Sequence, residues 1–577
     1  MKKFAVTISL TLGLLLLLNS ILLINTIGFY KITNSTEELF IPSKKRTKIV
    51  YPFIWEEFIG APGNQIGDDS MVFGSSFGPY HNYTELVTKL KSLNTTFPEI
   101  IDLFSIGKTY FGRDIFCVKI TNESILLPKT EVLIVGQHHA REQITVENAL
   151  YFIDKVVDNW MRSDSSIEVL LKTKVVYVIP SLNIDGAEVM SQFPWQRKTA
   201  RPIDEDNDNI KDEDVAFDTN QDGYIDAIWE NLNGNWNFIG YEGTDRGSDG
   251  KIGYDMPGGV DANRNYPYEF GNLMGASDDP FSEVYHGPEA FSENCTARFR
   301  DFALQRNFIT AASLHSGIDV IIGPWSYSDT LVTGIDSNMY INVGMELQKL
   351  TGLAFLTEFG YPASGEWGDW MYGRRNGTLL EFTFETYGGE TESFYNNTTG
   401  FYHNRGVWDA FNPPADKVID NCAQVYPGLL FMAKEAPYLS IQADSFKIKD
   451  NIHIKVNVTN PSSFVRTNGS IILEFTASQV NGLTLLNATN IVNLEELEAR
   501  SSTQVSIIFS INEPDYSVHI DIQVDGPKVG KAVAELDLDP STILATKKTP
   551  SFTSLIAMAG ILALIPLILI RKKRLCK

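Results

Sequence analysis

The residues best suited to chemistry are His139-Ala140-Arg141-Glu142, with His138 just before them. His139 and Glu142 put an imidazole and a carboxylate three residues apart, a spacing that lets both converge on one cation. Zn²⁺ in hydrolases is commonly held by two His and one Glu, with a fourth position left for water. His138 competes with His139 for the ligand role, and the spacing to Glu142 favours His139. A second group of donors lies downstream in two acidic runs, Asp204 to Asp208 and Asp218 to Asp226. Asp218, Asn220 and Asp222 alternate and are followed by Gly223, which resembles the opening of a Ca²⁺ loop, with Asp226 further along. The twelfth position of such a loop is Trp229 rather than an acid. A solvated acidic insertion spanning 202–256 is the alternative.

The elements around these residues must place them. Helical spacing runs from His81 to Leu93, with Leu86, Val87, Leu90 and Leu93 on one side. Ile101–Ile106, Ile115–Ile120, Glu131–Gly136 and Val175–Pro180 read as strands, and Val146–Trp160 as a helix. Strands alternating with helices predict an α/β domain with a mixed, mainly parallel sheet flanked by helices. Sites in such sheets form at the carboxyl ends of strands. The strand ending at Gly136 runs straight into His138 and His139. Beyond Pro437 the helical patterns stop. Short alternating strands come next at Ile452–Val458, Ser470–Phe475, Val505–Phe509 and Val518–Val524, with turn signals at Asn460-Pro461, Asn468-Gly469 and Asp525-Gly526. They predict a small antiparallel β-sandwich over 436–539.

The chain has 577 residues and a formal charge of −23. That length implies more than one domain, and that charge argues against a nucleic-acid partner, which needs clustered Lys and Arg. The four cysteines, Cys117, Cys295, Cys422 and Cys576, form no C-x-x-C. Cys295 with Cys422 is the candidate disulfide. Residues 1–28, with Lys2 and Lys3 before an apolar run, read as a signal peptide or signal anchor. Residues 29–77 are a polar lead-in. A linker over 540–551 precedes the apolar stretch Phe552–Ile570, long enough to span a membrane, and the basic tail 571–577. The flank Arg571 to Arg574 predicts a cytoplasmic tail and an outside location for the bulk of the chain. Sequons such as Asn82, Asn94, Asn376, Asn457 and Asn487 fit an exposed surface.

Five segments in order make the sequence resemble the zinc carboxypeptidase family, the M14-type clan of carboxypeptidases A, B and T. They are His139–Glu142 as H-A-R-E, the loop Gly259-Val260-Asp261-Ala262-Asn263-Arg264-Asn265, and Leu314-His315-Ser316 after Ile309–Ala312. Tyr361-Pro362-Ala363-Ser364-Gly365 and Phe382-Thr383-Phe384-Glu385 complete the set. The resemblance covers residues 78–435. It implies zinc on His139, Glu142 and His315, where the ion would polarise a scissile carbonyl and acidify a water. It implies Glu385 as general base, and Arg197 as the group that stabilises the developing oxyanion. Arg197 sits in Trp195-Gln196-Arg197-Lys198-Thr199, one residue longer than the family's W-R-K segment, with Arg201 as fallback. Asn263 and Arg264 would hold the substrate's terminal carboxylate, Arg through its planar fork. Arg141 would add charge to the same cleft, Tyr361 would cover the bound residue, and Asp261 would orient His139 through its other ring nitrogen.

The resemblance implies a zinc metallocarboxypeptidase acting on peptide or protein C-termini. The segment between Arg197 and Gly259 is longer than the family needs. Gly368 stands at the floor of the side-chain pocket, where a glycine indicates neither a basic nor an apolar preference; Glu366 nearby would favour Lys or Arg. The rival readings are a non-catalytic peptide-binding surface receptor, and an amidohydrolase on a cell-wall peptide. The sandwich would be a spacer or would bind a glycan or protein.

Overall fold

The computed structural model describes residues 80–543, apart from 191–194, 205–210, 212–217, 221–223, 244–257, 329, 359, 375–379, 468–469, 488–489 and 527–528. The two apolar segments, the lead-in, residues 544–551 of the expected linker and the tail lie outside the described residues, as does Asp222; Ile543, within that expected linker, is buried in the core of the second unit. Among the described residues no helix is long and apolar enough to cross a membrane.

The chain enters helix Tyr83–Thr96 through a capping box. The Asn82 side chain accepts from Glu85 N, and the Glu85 side chain accepts from Asn82 N. The first four strands are β1 (Ile101–Lys108), β2 (Asp114–Ile120), β3 (Thr130–Gly136) and β4 (Lys174–Ile179). Next come β5 (Ala227–Leu232) and β6 (Asn235–Tyr241) in the acidic insertion, then β7 (Phe308–His315), β8 (Asp319–Ile322), β9 (Ala354–Leu356) and β10 (Leu380–Thr386). β11 (Glu392–Asn396) and β12 (Phe401–Arg405) close the α/β part. One eight-stranded mixed sheet runs in the order β1-β2-β4-β3-β7-β10-β8-β9. β4, β3, β7 and β10 are mutually parallel.

β3 and β7 are buried along almost their whole length because both faces are covered. One face packs with helix Ile144–Met161 and helix Val418–Glu435 around Val132, Ile134, Ile309, Phe382 and Phe384. The other carries Leu133, Val135, Ala311, Tyr266 and Trp367. β11, β12, β5 and β6 form a separate small sheet in that order.

The disulfide expectation is corrected. Cys117, Cys295 and Cys422 are free and buried. Cys295 packs among Tyr266 and Phe299, and Cys422 among Tyr80 and Ile144, in separate apolar clusters.

After helix Val418–Glu435 come eight strands, β13 (Ser440–Ile448), β14 (Asn451–Thr459), β15 (Ile471–Asn481), β16 (Leu483–Leu485), β17 (Ile491–Leu494), β18 (Ser502–Ile511), β19 (Ser517–Gly526) and β20 (Gly530–Leu538). They make two four-stranded antiparallel sheets, β13-β14-β18-β16 and β17-β15-β19-β20. Their alternating apolar residues share a core that includes Ile454, Val456, Leu473, Phe475, Ile507 and Ile520. This unit meets the α/β part at the amino ends of the parallel strands. Thr130, the first residue of β3, donates from Oγ1 to Pro437 O and Val529 O at 2.6 and 3.1 Å. Lys531 N donates to Pro128 O. Glu435 Oε2 accepts from Ser462 Oγ, Ser463 N and Phe464 N at 2.8–3.1 Å.

Candidate active site

Parallel pairing aligns the carboxyl ends of three neighbouring strands. Gly136 of β3 is in register with Leu314 of β7, and His315 with Glu385 of β10. The residues that leave β3, end β7 and end β10 therefore meet at one edge.

Gln137 makes the turn out of β3. Its φ is 58°, a left-handed conformation that is uncommon for a side chain with a Cβ. Surrounding bonds hold it there: Gln137 N donates to Thr145 Oγ1, Nε2 donates to Ala140 O and Gln143 Oε1, and Oε1 accepts from Ser181 Oγ. Nothing in the sequence marked this residue. The turn sends His138 and His139 to different places. Both ring nitrogens of His138 are occupied, Nε2 by Tyr266 Oη and Nδ1 by Ser313 Oγ, each at 3.1 Å. His138 therefore has no nitrogen left for a ligand role.

His139 Nδ1 lies 2.6 Å from Glu142 Oε1 and 3.2 Å from His315 Nδ1, and His315 Nδ1 lies 3.1 Å from Glu142 Oε2. All three side chains are buried. His139 Nε2 faces the Asp261 Oδ1 carboxylate oxygen at 3.2 Å; with the proton on Nε2 the Nδ1 lone pair points to the ligand position. Two such nitrogens cannot bond each other without a proton between them. Zn–N bonds of about 2.0–2.1 Å at tetrahedral angles set two nitrogens ~3.3 Å apart, close to the observed separation. The donor set therefore fits one zinc ion, and it is the one three-ligand group among the described residues. Although burial raises the Glu142 carboxyl, the two imidazoles hold it well below its ordinary range.

Asp261 ties this group to Arg197. Its Oδ2 accepts from Arg197 Nε and Nη2 at 3.0 and 2.9 Å, and its Oδ1 accepts from Asn263 N. Arg197 Nη1 is buried without a partner. The loop can reach this position because Gly259 has φ 97°, and a Cβ there would overlap the Thr199 carbonyl. Arg201 pairs instead with Glu293, at 2.9 Å, beside a separate small cavity.

His139, Arg197, Asn263, Arg264, Tyr361 and Glu385 line one cleft. Burial and the Glu142 charge push the Glu385 carboxyl well above its ordinary range, while Arg197 pulls it down; its Oε2 is unpartnered. Tyr361 Oη reaches Gly275 O at 3.3 Å. A carboxylate of the protein's own, Glu366 Oε1, already sits 3.3 Å from Arg264 Nη1 and 3.4 Å from Asn263 Nδ2. Gly368 is buried in helix Trp367–Gly373 and is not among the residues that line the cleft.

Two expectations are corrected. Arg141 is not on the cleft wall. Its guanidinium donates to Glu283 at 2.7 Å and to Trp195 O, and lies 4.4 Å from the Phe411 ring centroid, so its charge is already neutralised. Asp226 is fully buried and holds His403 Nδ1 at 2.9 Å and Arg405 at 3.2 Å, so its oxygens are not free for a cation. Asp218 and Asn220 are on the surface side of Glu242, whose Oε1 accepts from Thr219 N, Thr219 Oγ1 and Asn220 N.

A mononuclear metallohydrolase requires a three-ligand site open on one side, an acid outside the ligand set, and a fixed cation facing the same space. The cleft meets each requirement. The model of the zinc carboxypeptidase family matches residues 86–426. A zinc carboxypeptidase of Saccharothrix mutabilis subsp. capreolus is 34% identical over 134 residues, 22% of this chain and 31% of that protein. Carboxypeptidase A4 of Mus musculus is 25% identical over 366 residues, 61% of this chain and 69% of that protein. Carboxypeptidase B of Astacus astacus is 26% identical over 318 residues, 53% of this chain and 86% of that protein. The chain belongs to the zinc carboxypeptidase family.

Proposed function

We propose that this protein is a zinc metallocarboxypeptidase that removes single residues from the C-termini of peptides. The observation that carries the reading is the convergence of two imidazole Nδ1 atoms and Glu142, with Glu385 in register beside His315. Zinc held by His139, Glu142 and His315 supplies Lewis acidity toward a carbonyl oxygen and a water. Glu385 takes a proton from the attacking water as the water oxygen bonds to the carbonyl carbon. It returns that proton to the leaving nitrogen as the C–N bond breaks. The unpartnered Arg197 Nη1 donates to the oxygen that gains negative charge. Asp261 holds the guanidinium in place, so the donor needs no reorganisation during the reaction. Asn263 and Arg264 receive the terminal carboxylate, which displaces Glu366 from them. Because only a chain end carries that carboxylate, cleavage is restricted to the last peptide bond.

The test is full-length protein on blocked dipeptides, with and without a zinc chelator. Glu385→Gln should retain zinc and substrate binding while kcat falls by about 10³-fold or more. Undiminished turnover would reject Glu385 as the base. For location, the support is the apolar stretch Phe552–Ile570 followed by four cations, so the catalytic part is proposed to stand outside a membrane with the sandwich as spacer or ligand-binding module. Extraction of the full chain by alkaline carbonate without detergent refutes the anchor. For Ca²⁺ in the insertion, the support is the Asp218-Asn220-Asp222 alternation, without Asp226. An unchanged melting temperature on selective Ca²⁺ chelation refutes it.

A further inference from the structure

Glu381, Thr383 and Glu385 alternate along one face of β10, opposite Phe382 and Phe384, which pack in the main core. Thr383 and Glu385 line the cleft. Glu381 continues that row inward. It is 1% exposed and its Oε2 has no hydrogen-bond partner. What covers it is Gly368, the residue at the predicted pocket floor. A Cβ on Gly368 would stand 3.0 Å from Glu381 Oε2 and 3.2 Å from Oε1, so the glycine lies directly against the carboxylate and any side chain there would crowd it.

Two further acids face the same region. Asp369 is fully buried and accepts from Ser326 N and Tyr327 N at 2.8 and 2.9 Å. Glu366 lines the cleft. The cation that faces them is Arg264, whose charge is shared with Asp261. Burial and mutual repulsion raise Glu381, and raise Asp369 to about 8. A buried, unpartnered acid is costly to a fold unless something pairs with it. Apolar walls at Ile322, Trp325, Leu331 and Leu356 would take an aliphatic stem on the way in.

We propose that Glu381, beside Gly368 and aided by Glu366 at the rim, receives the cationic side chain of a C-terminal Lys or Arg. The substrate class is then peptides with basic C-termini. The proposal rests on the peptidase reading of the cleft.

The experiment measures kcat/KM of the full-length, zinc-loaded protein on blocked dipeptides ending in Arg, Lys, Leu or Phe. The wild type should favour Arg and Lys. Glu381→Gln should lower the Arg-to-Leu ratio by about 100-fold, the size of a lost charged hydrogen bond. A wild-type preference for Leu or Phe overturns the proposal, and so does a ratio that Glu381→Gln leaves unchanged, whether both activities fall or neither does. Calorimetry on the wild type with free arginine and free leucine gives the same reading without a variant: leucine binding as tightly as arginine overturns it. If no substrate is cleaved with zinc bound, the peptidase reading fails, and the calorimetry alone decides the pocket's preference.

Discussion

Asp261→Asn is the perturbation on which the site's geometry makes the sharpest claim. The carboxylate is fully buried and makes four contacts: His139 Nε2 and Asn263 N on one oxygen, Arg197 Nε and Nη2 on the other. An asparagine can keep the first oxygen. Its amide then turns two hydrogens toward the two N–H donors of Arg197, so a bidentate ion pair becomes a donor–donor clash around an uncompensated buried cation. Breaking a buried pair from one side costs about 3–5 kcal/mol. For a catalytic domain of this size that lowers the melting midpoint by about 5 °C. Loss of the charge behind His139 should weaken zinc by about 10–100-fold. A displaced Arg197 should lower kcat by about 10²–10³-fold even at saturating zinc. Three assays read these separately: thermal unfolding of the zinc-free protein, competition with a chromogenic chelator, and steady-state turnover with excess zinc. The reasoning is refuted by a variant that loses turnover while zinc affinity and melting midpoint stay at wild-type values, because one carboxylate serves both His139 and Arg197.

Two further perturbations test other parts. Glu435→Ala removes the acceptor of three hydrogen bonds between the helix end and the sandwich. It should cost about 2–3 kcal/mol at that junction and split thermal unfolding into two transitions; a single, unshifted transition counts against the junction. Glu381 is an acid raised above its ordinary value of 4.5, so the folded state holds its proton more tightly than the unfolded chain. The stability this gives is complete below pH 4.5 and is lost as pH rises through the folded value. The stability of Glu381→Gln relative to wild type should therefore grow with pH from 4.5 upward, as read by urea midpoints at pH 5 and pH 8. Parallel curves for the two proteins would contradict the burial argument.

How legible each site residue was depends on how far away its partners lie. His139 and Glu142 are three apart, so local spacing alone suggested them. His315 and Glu385 carry no local signal and became visible only through the order of motifs. Arg141 was misplaced because its neutralising partners, Glu283 and the Phe411 ring, lie far along the chain. Asp226 was misread for the same reason, since Arg405 and His403 reach it from β12. The positive φ of Gln137 could not be read from a residue type that rarely adopts it. Glu381 drew no notice because a lone acid in a strand ordinarily points to solvent; its burial comes from the helix Trp367–Gly373 laid across that face. Strand positions fared better. Runs such as Val132–Val135 are apolar at consecutive positions, which in an α/β context leaves a doubly covered strand as the economical solution.

The register that assembles the site also separates it from the second unit. In a parallel sheet all strand starts share one edge and all strand ends the other. The sandwich holds Thr130 and Pro128, at the start of β3, while the cleft is built from the residues just after Gly136 and those that end β7 and β10. Seven residues of β3, at about 3.3 Å each, set roughly 20 Å between the two edges. Among the described residues no sandwich side chain lines the cleft, although Arg466 pairs with Asp336, which accepts from Tyr372 Oη, whose ring packs on Trp325 of the cleft wall. The side chains that line the cleft come from the α/β part itself. Within that part, the Asn263–Arg264 pair is proposed to select for a chain end, which leaves the acids at Glu366 and Glu381 to decide which chain end enters.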